Sequence, residues 1–346
     1  MRKFYTFLCG MMVWGTVQSQ DLHFSQYHSS PIHINPTMVG LLHGGNVITL
    51  NYRDQWRPVL GSEGSFRTIA GTFEKRINTT GENFFGCGIG LFQDKAGSLT
   101  QNEAKLAVSY ARMLAKSGKA HYYLIGGGQG GAMQNIIDAT DRRWLSQYDG
   151  NGGYDPSKAG ETVDFPKKML LDVSIGMALY THYDNQNFWM FGASIHHLNR
   201  ADLSLTKYST LPTQYMRYTV HAAGSFYLGN SHFKILPSSL FMRQGPSLEL
   251  TQGVSLKYVL DRTDYRSFQI GGLLRTVNKL EDRLMADALV AYIRADWAHY
   301  GIGFSYDINV SSLNVTNRNN NAVELAMIYR FEGSRFTKKK VTPRYF

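Results

Sequence analysis

The sequence predicts an all-β protein, a transmembrane antiparallel β-barrel of about 14 strands with an extended N-terminal segment. Three observations lead there. Runs of about ten residues alternate between large apolar and small or charged side chains, a period of two that puts one kind on each face of a strand. Ten residues is also the length that crosses a bilayer at a steep tilt. The chain opens with an export signal, and its composition of 34 Gly, 21 Tyr and 19 Phe against 9 Pro in 346 residues favours many turns and strands over helices.

Residues 1–19 read as that signal: Arg2 and Lys3, an apolar run from Phe4 to Trp14, then Val17-Gln18-Ser19 as the small residues before cleavage. The apolar run is shorter than a membrane-spanning helix requires. Cleavage after Ser19 removes Cys9 and leaves Cys87 as the remaining cysteine, so no internal disulfide forms. It also removes two of 36 basic residues, leaving 34 against 26 acidic ones, a net charge of 34 − 26 = +8. In an exported chain such an excess meets anionic lipid or acidic partners. No nucleic-acid motif accompanies it.

Residues 20–44 come next. Pro31 and Pro36 interrupt this polar, aromatic stretch, and the restriction of residues near proline predicts extended backbone at His33 and Asn35. The segment is expected to be an anchored plug or docking strap. Strands are then expected near 45–53, 66–76, 85–94, 101–112, 121–131, 169–180, 187–198, 216–228, 232–243, 249–259, 267–276, 284–294, 297–307 and 322–332. The run Leu171 to Leu179 is the clearest, with Leu, Val, Ile, Met and Leu on one face and Asp, Ser, Gly and Ala on the other. The runs at 121–131, 232–243 and 284–294 alternate poorly. A soluble sandwich shows the same alternation. The signal, the strand length, the aromatic strand ends and the even count favour a barrel with a polar lumen.

Asn51 to Arg57 closes the first strand with charges and Trp56, which on their own read as an interfacial aromatic and a screened ion pair. The longest insertion spans 132–168 and contains Trp144; in a barrel, long loops face outward. Residues 45–332 thus form the barrel, and 333–346 form a basic periplasmic tail in which Lys338, Lys339 and Lys340 stand between aromatic residues.

No catalytic, cofactor or metal constellation stands out. Gly126 to Gly131 lacks the Lys-Ser or Lys-Thr ending of a phosphate loop and reads as strand kinking. Asp149 to Gly153 lacks the later glutamate of a calcium loop. The histidines at 23, 28, 33, 43, 196 and 197 show no zinc spacing, and no Gly-x-Ser-x-Gly elbow occurs. The reading is therefore not an enzyme.

Several blocks carry a resemblance: Gln20-Asp21, Phe24-Ser25-Gln26-Tyr27, Pro31, Asn35-Pro36 and Gly40; then Arg53, Gln55 and Trp56; Asp172 to Gly176; Gly192 to Leu198; Ser305 to Asn309; Glu324-Leu325; and Pro343 to Phe346. With them the chain resembles the PorP/SprF family of outer-membrane proteins tied to type IX secretion and gliding in Bacteroidetes. Thr37 stands where the family commonly has Ala after Asn-Pro. The resemblance implies a non-enzymatic outer-membrane barrel that assists export or surface attachment of secreted cargo. It also implies contacts with a periplasmic ring lipoprotein and a peptidoglycan-binding OmpA-like protein, in an environment of outer-membrane lipid. Phe24, Gln26, Tyr27, Pro31, Asn35, Pro36, Arg53, Trp56, Trp144, Lys338, Lys339 and Lys340 are the expected partner-binding residues. The alternative from another class is a passive channel or a transporter of hydrophobic ligands.

Overall fold

The computed structural model describes residues 21–331 apart from 43–44, 80–81, 139–144, 149, 151–152, 156, 159, 161–167, 184–186, 204–212, 262–265, 279–283 and 312–320. The signal expected over 1–19, Trp144 and the basic tail with Lys338 to Lys340 lie outside the described residues.

Fourteen antiparallel strands form a closed barrel: β1 (Asn46–Gln55), β2 (Phe66–Asn78), β3 (Phe84–Ala96), β4 (Leu99–Ser117), β5 (Ala120–Ile137), β6 (Met169–Tyr183), β7 (Asn187–His196), β8 (Arg217–Tyr227), β9 (Phe233–Gln244), β10 (Ser247–Asp261), β11 (Arg266–Asn278), β12 (Leu284–Trp297), β13 (Tyr300–Asn309) and β14 (Ala322–Phe331). Each strand pairs with its sequence neighbour. The ring closes where β1 meets β14 in unbroken register, from Asn46 opposite Phe331 to Gln55 opposite Ala322. Closure leaves no strand edge, which removes the aggregation hazard of an open sheet.

The alternation read in the sequence has a direction. Along β6, Met169, Leu171, Val173, Ile175, Met177 and Leu179 are exposed on the outer wall, whereas Asp172, Ser174, Ala178 and Tyr180 are buried inside. The same holds on β13, with Ile302, Phe304, Tyr306 and Ile308 outward and Ser305 and Asp307 inward. An apolar exterior around a polar interior suits lipid outside and protein inside.

At the end of the barrel that carries the start of β1 and the end of β14, the connections are short, as at 118–119, 228–232 and 298–299. The opposite end carries 138–168, 197–216 and 310–321. Short turns face the periplasm and long loops the exterior in such barrels, so both ends of the described chain's barrel lie on the periplasmic side. The insertion begins later than expected. Residues 132–137 extend β5, because Gln134 to Ile137 pair with Leu99 to Asn102 of β4 although they do not alternate. A short helical segment, Arg57–Gly64, follows Trp56 at the outer end, where a strand-to-strand loop was expected.

The segment from Asp21 to Leu42 lies inside the barrel. It is folded rather than extended: a 3-10 turn at Tyr27–Ser29, one helical turn, α1 (Pro31–Ile34), and a second 3-10 turn at Pro36–Met38. Both prolines sit at the first position of their turns, where a fixed φ and a missing N–H favour a helix start. Asn35 is extended as expected, with φ −157 and ψ 125, but His33 belongs to the helical turn.

Candidate functional site: the filled lumen

Every residue from Phe24 to Leu42 is buried. A segment this polar stays buried only if its backbone groups find partners, since an unpaired amide in a dry interior costs about 1–3 kcal/mol. The barrel wall supplies those partners one by one.

At the periplasmic end, the Gly40 N–H donates to Glu74 Oε2 at 3.0 Å and its carbonyl accepts from Arg76 Nε at 2.6 Å. The Val39 carbonyl accepts from Ser109 Oγ at 2.8 Å. Midway, Ser194 Oγ at 2.8 Å and His196 Nε2 at 3.0 Å both reach the Ile34 carbonyl. Asn35 Oδ1 accepts the Thr37 N–H at 3.0 Å while its Nδ2 donates to the Ala193 carbonyl at 3.2 Å. Asn51 Nδ2 donates to the Ser29 carbonyl at 3.1 Å.

The densest knot straddles the β1–β14 closure. Glu324 on β14 accepts the N–H groups of Ser25 and Gln26 at 2.8 and 2.9 Å. Ser25 Oγ donates to Asp307 Oδ2 at 2.6 Å. Arg53 on β1 joins them, with Nη2 2.8 Å from Asp307 and Nη1 3.2 Å from Glu324. Arg275 adds a contact to Asp307 at 3.1 Å. Arg53 is therefore no screened surface charge: it is 2% exposed. The screened-pair reading fails because alternation turns this arginine into the lumen, opposite two inward carboxylates.

At the outer end the tip of the segment is clasped. Asp21 Oδ2 lies 2.5 Å from His197 Nε2 and 2.9 Å from Arg217 Nη1, and His197 Nδ1 lies 2.8 Å from Asp172 Oδ1. Both ring nitrogens of His197 thus donate to carboxylates, which requires the imidazolium. Burial opposes that charge, yet Asp21 and Asp172 raise the His197 pKa to about 9. Burial likewise opposes the Asp21 carboxylate, and His197 and Arg217 overcome it, holding Asp21 well below its usual range. His33 behaves in the opposite way: burial, then Arg217 and Lys105, keep it neutral while its Nε2 donates to the Leu22 carbonyl at 2.7 Å. Beside the tip a half-open cavity of about 570 Å³ is lined by Asp21, His23, Arg217, Glu249, Arg275 and Asp287, among others.

Glycines of the wall make room for the segment. A Cβ on Gly86 would sit 2.0 Å from the Val39 carbonyl oxygen, one on Gly127 2.8 Å from the Thr37 nitrogen, and one on Gly176 2.1 Å from Asn35 Oδ1. The glycine run at 126–131 was expected to kink a strand; its Gly127 clears space for the backbone at Pro36–Thr37, while Gly126 and Gly130 face open space.

Of the expected partner-binding residues, Phe24, Gln26, Tyr27, Pro31, Asn35 and Pro36 all lie in the lumen against the wall, and Arg53 meets them there. Trp56 lies apart at the outer end of β1, its ring centroid 5.1 Å from that of Phe66. Glu324, Asp307, Glu74, Arg217 and His197 were not among them. The available signal was an ionisable residue on the small-residue face of a strand, as Glu324 is in Val323 to Phe331. Among the described residues no three His, Cys, Asp or Glu side chains converge to hold a metal ion. The arrangement fills the barrel and braces it with hydrogen bonds and ion pairs between segment and wall.

The sequence profile of the family described as "Type IX secretion system membrane protein PorP/SprF" matches residues 16–329. No curated protein matches. Among solved structures the chain is similar to CdiB from Escherichia coli, at 10% identity and a TM-score of 0.47, covering 82% of this chain and 62% of that one. It is similar to CdiB from Acinetobacter baumannii, at 8% identity and a TM-score of 0.45, covering 82% of this chain and 60% of that one. It is also similar to the toluene transporter TbuX of Ralstonia pickettii, at 12% identity and a TM-score of 0.43, covering 88% and 94%. The chain thus spans about three fifths of the length of the CdiB proteins it matches.

Proposed function

Given that the chain belongs to the PorP/SprF family of type IX secretion system membrane proteins, we propose that it works in the outer membrane as a sealed, non-enzymatic barrel that assists export or surface attachment of secreted cargo without conducting it through its own lumen. The observation that carries this reading is the buried segment from Phe24 to Leu42, whose backbone is hydrogen-bonded to the wall along its length. A conduit for a polypeptide needs an open passage, and here the passage is occupied by the chain itself. Activity then resides on the surfaces the barrel presents.

On the periplasmic side these surfaces include the short turns and the basic stretch Lys338 to Lys340, which suits acidic segments of a ring lipoprotein or a peptidoglycan-binding OmpA-like protein. On the outer side they include Trp56 and the 138–168 connection with Trp144. Phe24, Gln26, Tyr27, Pro31, Asn35, Pro36 and Arg53 support partner binding by holding the barrel's shape.

Deleting the gene and measuring cargo at the cell surface tests the secretion role; unchanged export and attachment overturn it. Planar-bilayer recording separates the sealed barrel from a passive channel: steady large currents from the intact protein would favour the channel.

A further inference from the structure

A second charged cluster lies in the lumen, near His28 of the segment. Asp296 Oδ1 receives Arg294 Nη2 at 2.9 Å and Arg330 Nη2 at 2.8 Å, while Asp296 Oδ2 lies 3.4 Å from Lys257 Nζ. Three cations therefore surround one carboxylate, an excess of 3 − 1 = +2. All four residues are inward-facing; the side chains of Arg294, Arg330 and Asp296 are 2%, 9% and 5% exposed. Among the described residues Asp296 is the sole carboxylate in contact with these cations. A buried charge without a counter-charge is expensive, by several kcal/mol per ion, so an excess of two calls for a partner.

The donors for such a partner are already in place. Arg294 Nη1, Arg330 Nε and Nη1 and the remaining hydrogens of Lys257 make no hydrogen bond to described residues. Lys257 keeps 15% of its side chain exposed, which marks the approach. The cluster sits at the periplasmic end: Arg330 immediately precedes the last residue of β14, and Asp296 precedes the last residue of β12. Gly301 preserves the space, since a Cβ there would come 2.7 Å from Asp296 Oδ1 and 3.4 Å from Arg330 Nη2.

We propose that Lys257, Arg294 and Arg330 form an oxyanion-binding site that opens to the periplasmic end of the lumen, with Asp296 holding the two guanidinium groups in position. Planar guanidinium forks match the geometry of carboxylate and phosphate oxygens. Inorganic phosphate and the carboxylates of an acidic peptide both present that chemistry. The site is independent of the secretion role, so either stands if the other falls. The nearest acid in sequence, Glu332, lies outside the described residues and is tested directly.

The test uses the full-length protein extracted in detergent, with thermal unfolding and calorimetric titration at constant ionic strength. The probes are inorganic phosphate and tetraglutamate, against chloride as the reference. At saturation either probe raises the melting temperature by roughly 2–4 °C over chloride. Arg330→Gln weakens binding about tenfold, and Lys257→Gln, at the open rim, does the same if the first variant fails to fold. Asp296→Asn tightens binding several-fold, because it removes the one competing negative charge; a purely structural ion-pair network predicts loss of stability and no gain in affinity. Tighter binding of tetraglutamate than of phosphate identifies a peptide source, and the reverse identifies a free anion. Equal responses to phosphate, tetraglutamate and chloride overturn the proposal. So does anion binding that emerges only in Glu332→Gln, since the chain's own carboxylate then fills the site.

Discussion

The wall of the barrel and the segment inside it solve burial in opposite ways. The wall is amphipathic at period two and exposes its apolar face, from Leu50 and Leu91 on β1 and β3 to Met327 on β14. The segment mixes polar residues with Phe24, Tyr27, Ile32, Ile34, Met38, Val39, Leu41 and Leu42, and it is buried throughout from Phe24 to Leu42. In a membrane barrel, lipid takes the apolar face, and the interior must be filled by polar surfaces that satisfy one another. Burial of the segment thus combines matched donors and acceptors with two apolar clusters that it shares with inward wall residues such as Tyr123, Tyr180 and Phe92.

The largest break of that match is removal of the segment itself. Deleting residues 21–42 while keeping the signal leaves Glu74, Glu324 and Arg217 facing an empty lumen. The variant is expected to conduct ions in planar bilayers where the intact protein does not. A deletion that inserts as a folded barrel and stays closed would show that something other than this segment seals the passage.

Next in size is Arg53→Met. It leaves Asp307 and Glu324 without their shared cation at the β1–β14 closure. Breaking a buried pair from one side costs about 3–5 kcal/mol, so a drop of that order in urea-unfolding stability is expected. Asn51→Ala removes one hydrogen bond to the Ser29 carbonyl and serves as the milder reference, at about 1 kcal/mol.

Glycine substitutions separate the two faces of the wall within one strand. Gly127→Ala puts a methyl group 2.8 Å from the Thr37 nitrogen, whereas Gly126→Ala points into open space. The first is expected to destabilise by about 1–3 kcal/mol, as over-packing does, and the second to stay within about 0.5 kcal/mol. Equal melting temperatures would mean that the segment does not bear on β5.

The same contrast explains what could be read from the sequence. All fourteen strands were legible because lipid outside and polarity inside enforce strict alternation, and even the weakly alternating run at 121–131 lay where β5 was found. The end of β5 was not legible, since Gln134 to Ile137 are held by pairing with β4 rather than by their own pattern. The importance of Gln20 to Gly40 was visible, but its conformation was not. Proline at the first position of a turn looks the same in sequence as proline in an extended strap, and the hydrogen bonds that decide between them come from Glu324, Ser194 and Arg217, 160 to 299 residues away in sequence. Inward charges such as Asp307 and Glu324 follow the strand period, yet which backbone groups they serve depends on the path of the segment through the lumen.

The smallest effect expected concerns pH and the clasp at the outer tip. His197 has its pKa raised from 6.5 to about 9, so its contribution to stability is complete below about 6.5 and is lost as pH rises through about 9. Asp21 is shifted the other way, so its contribution holds above about 3.8 and fades as pH falls below that. The clasp is strongest between those limits. His197→Gln is expected to lower stability by about 1–2 kcal/mol at pH 6, less than a full loss of the ion pair, because Arg217 still neutralises Asp21 at 2.9 Å. Above pH 9.5 the variant and the parent should melt together, since the parent's imidazole is then neutral as well. A gap in melting temperature that stays constant from pH 6 to pH 10 would mean that His197 acts through packing, and that the tip is held by Arg217 and Gln244 alone.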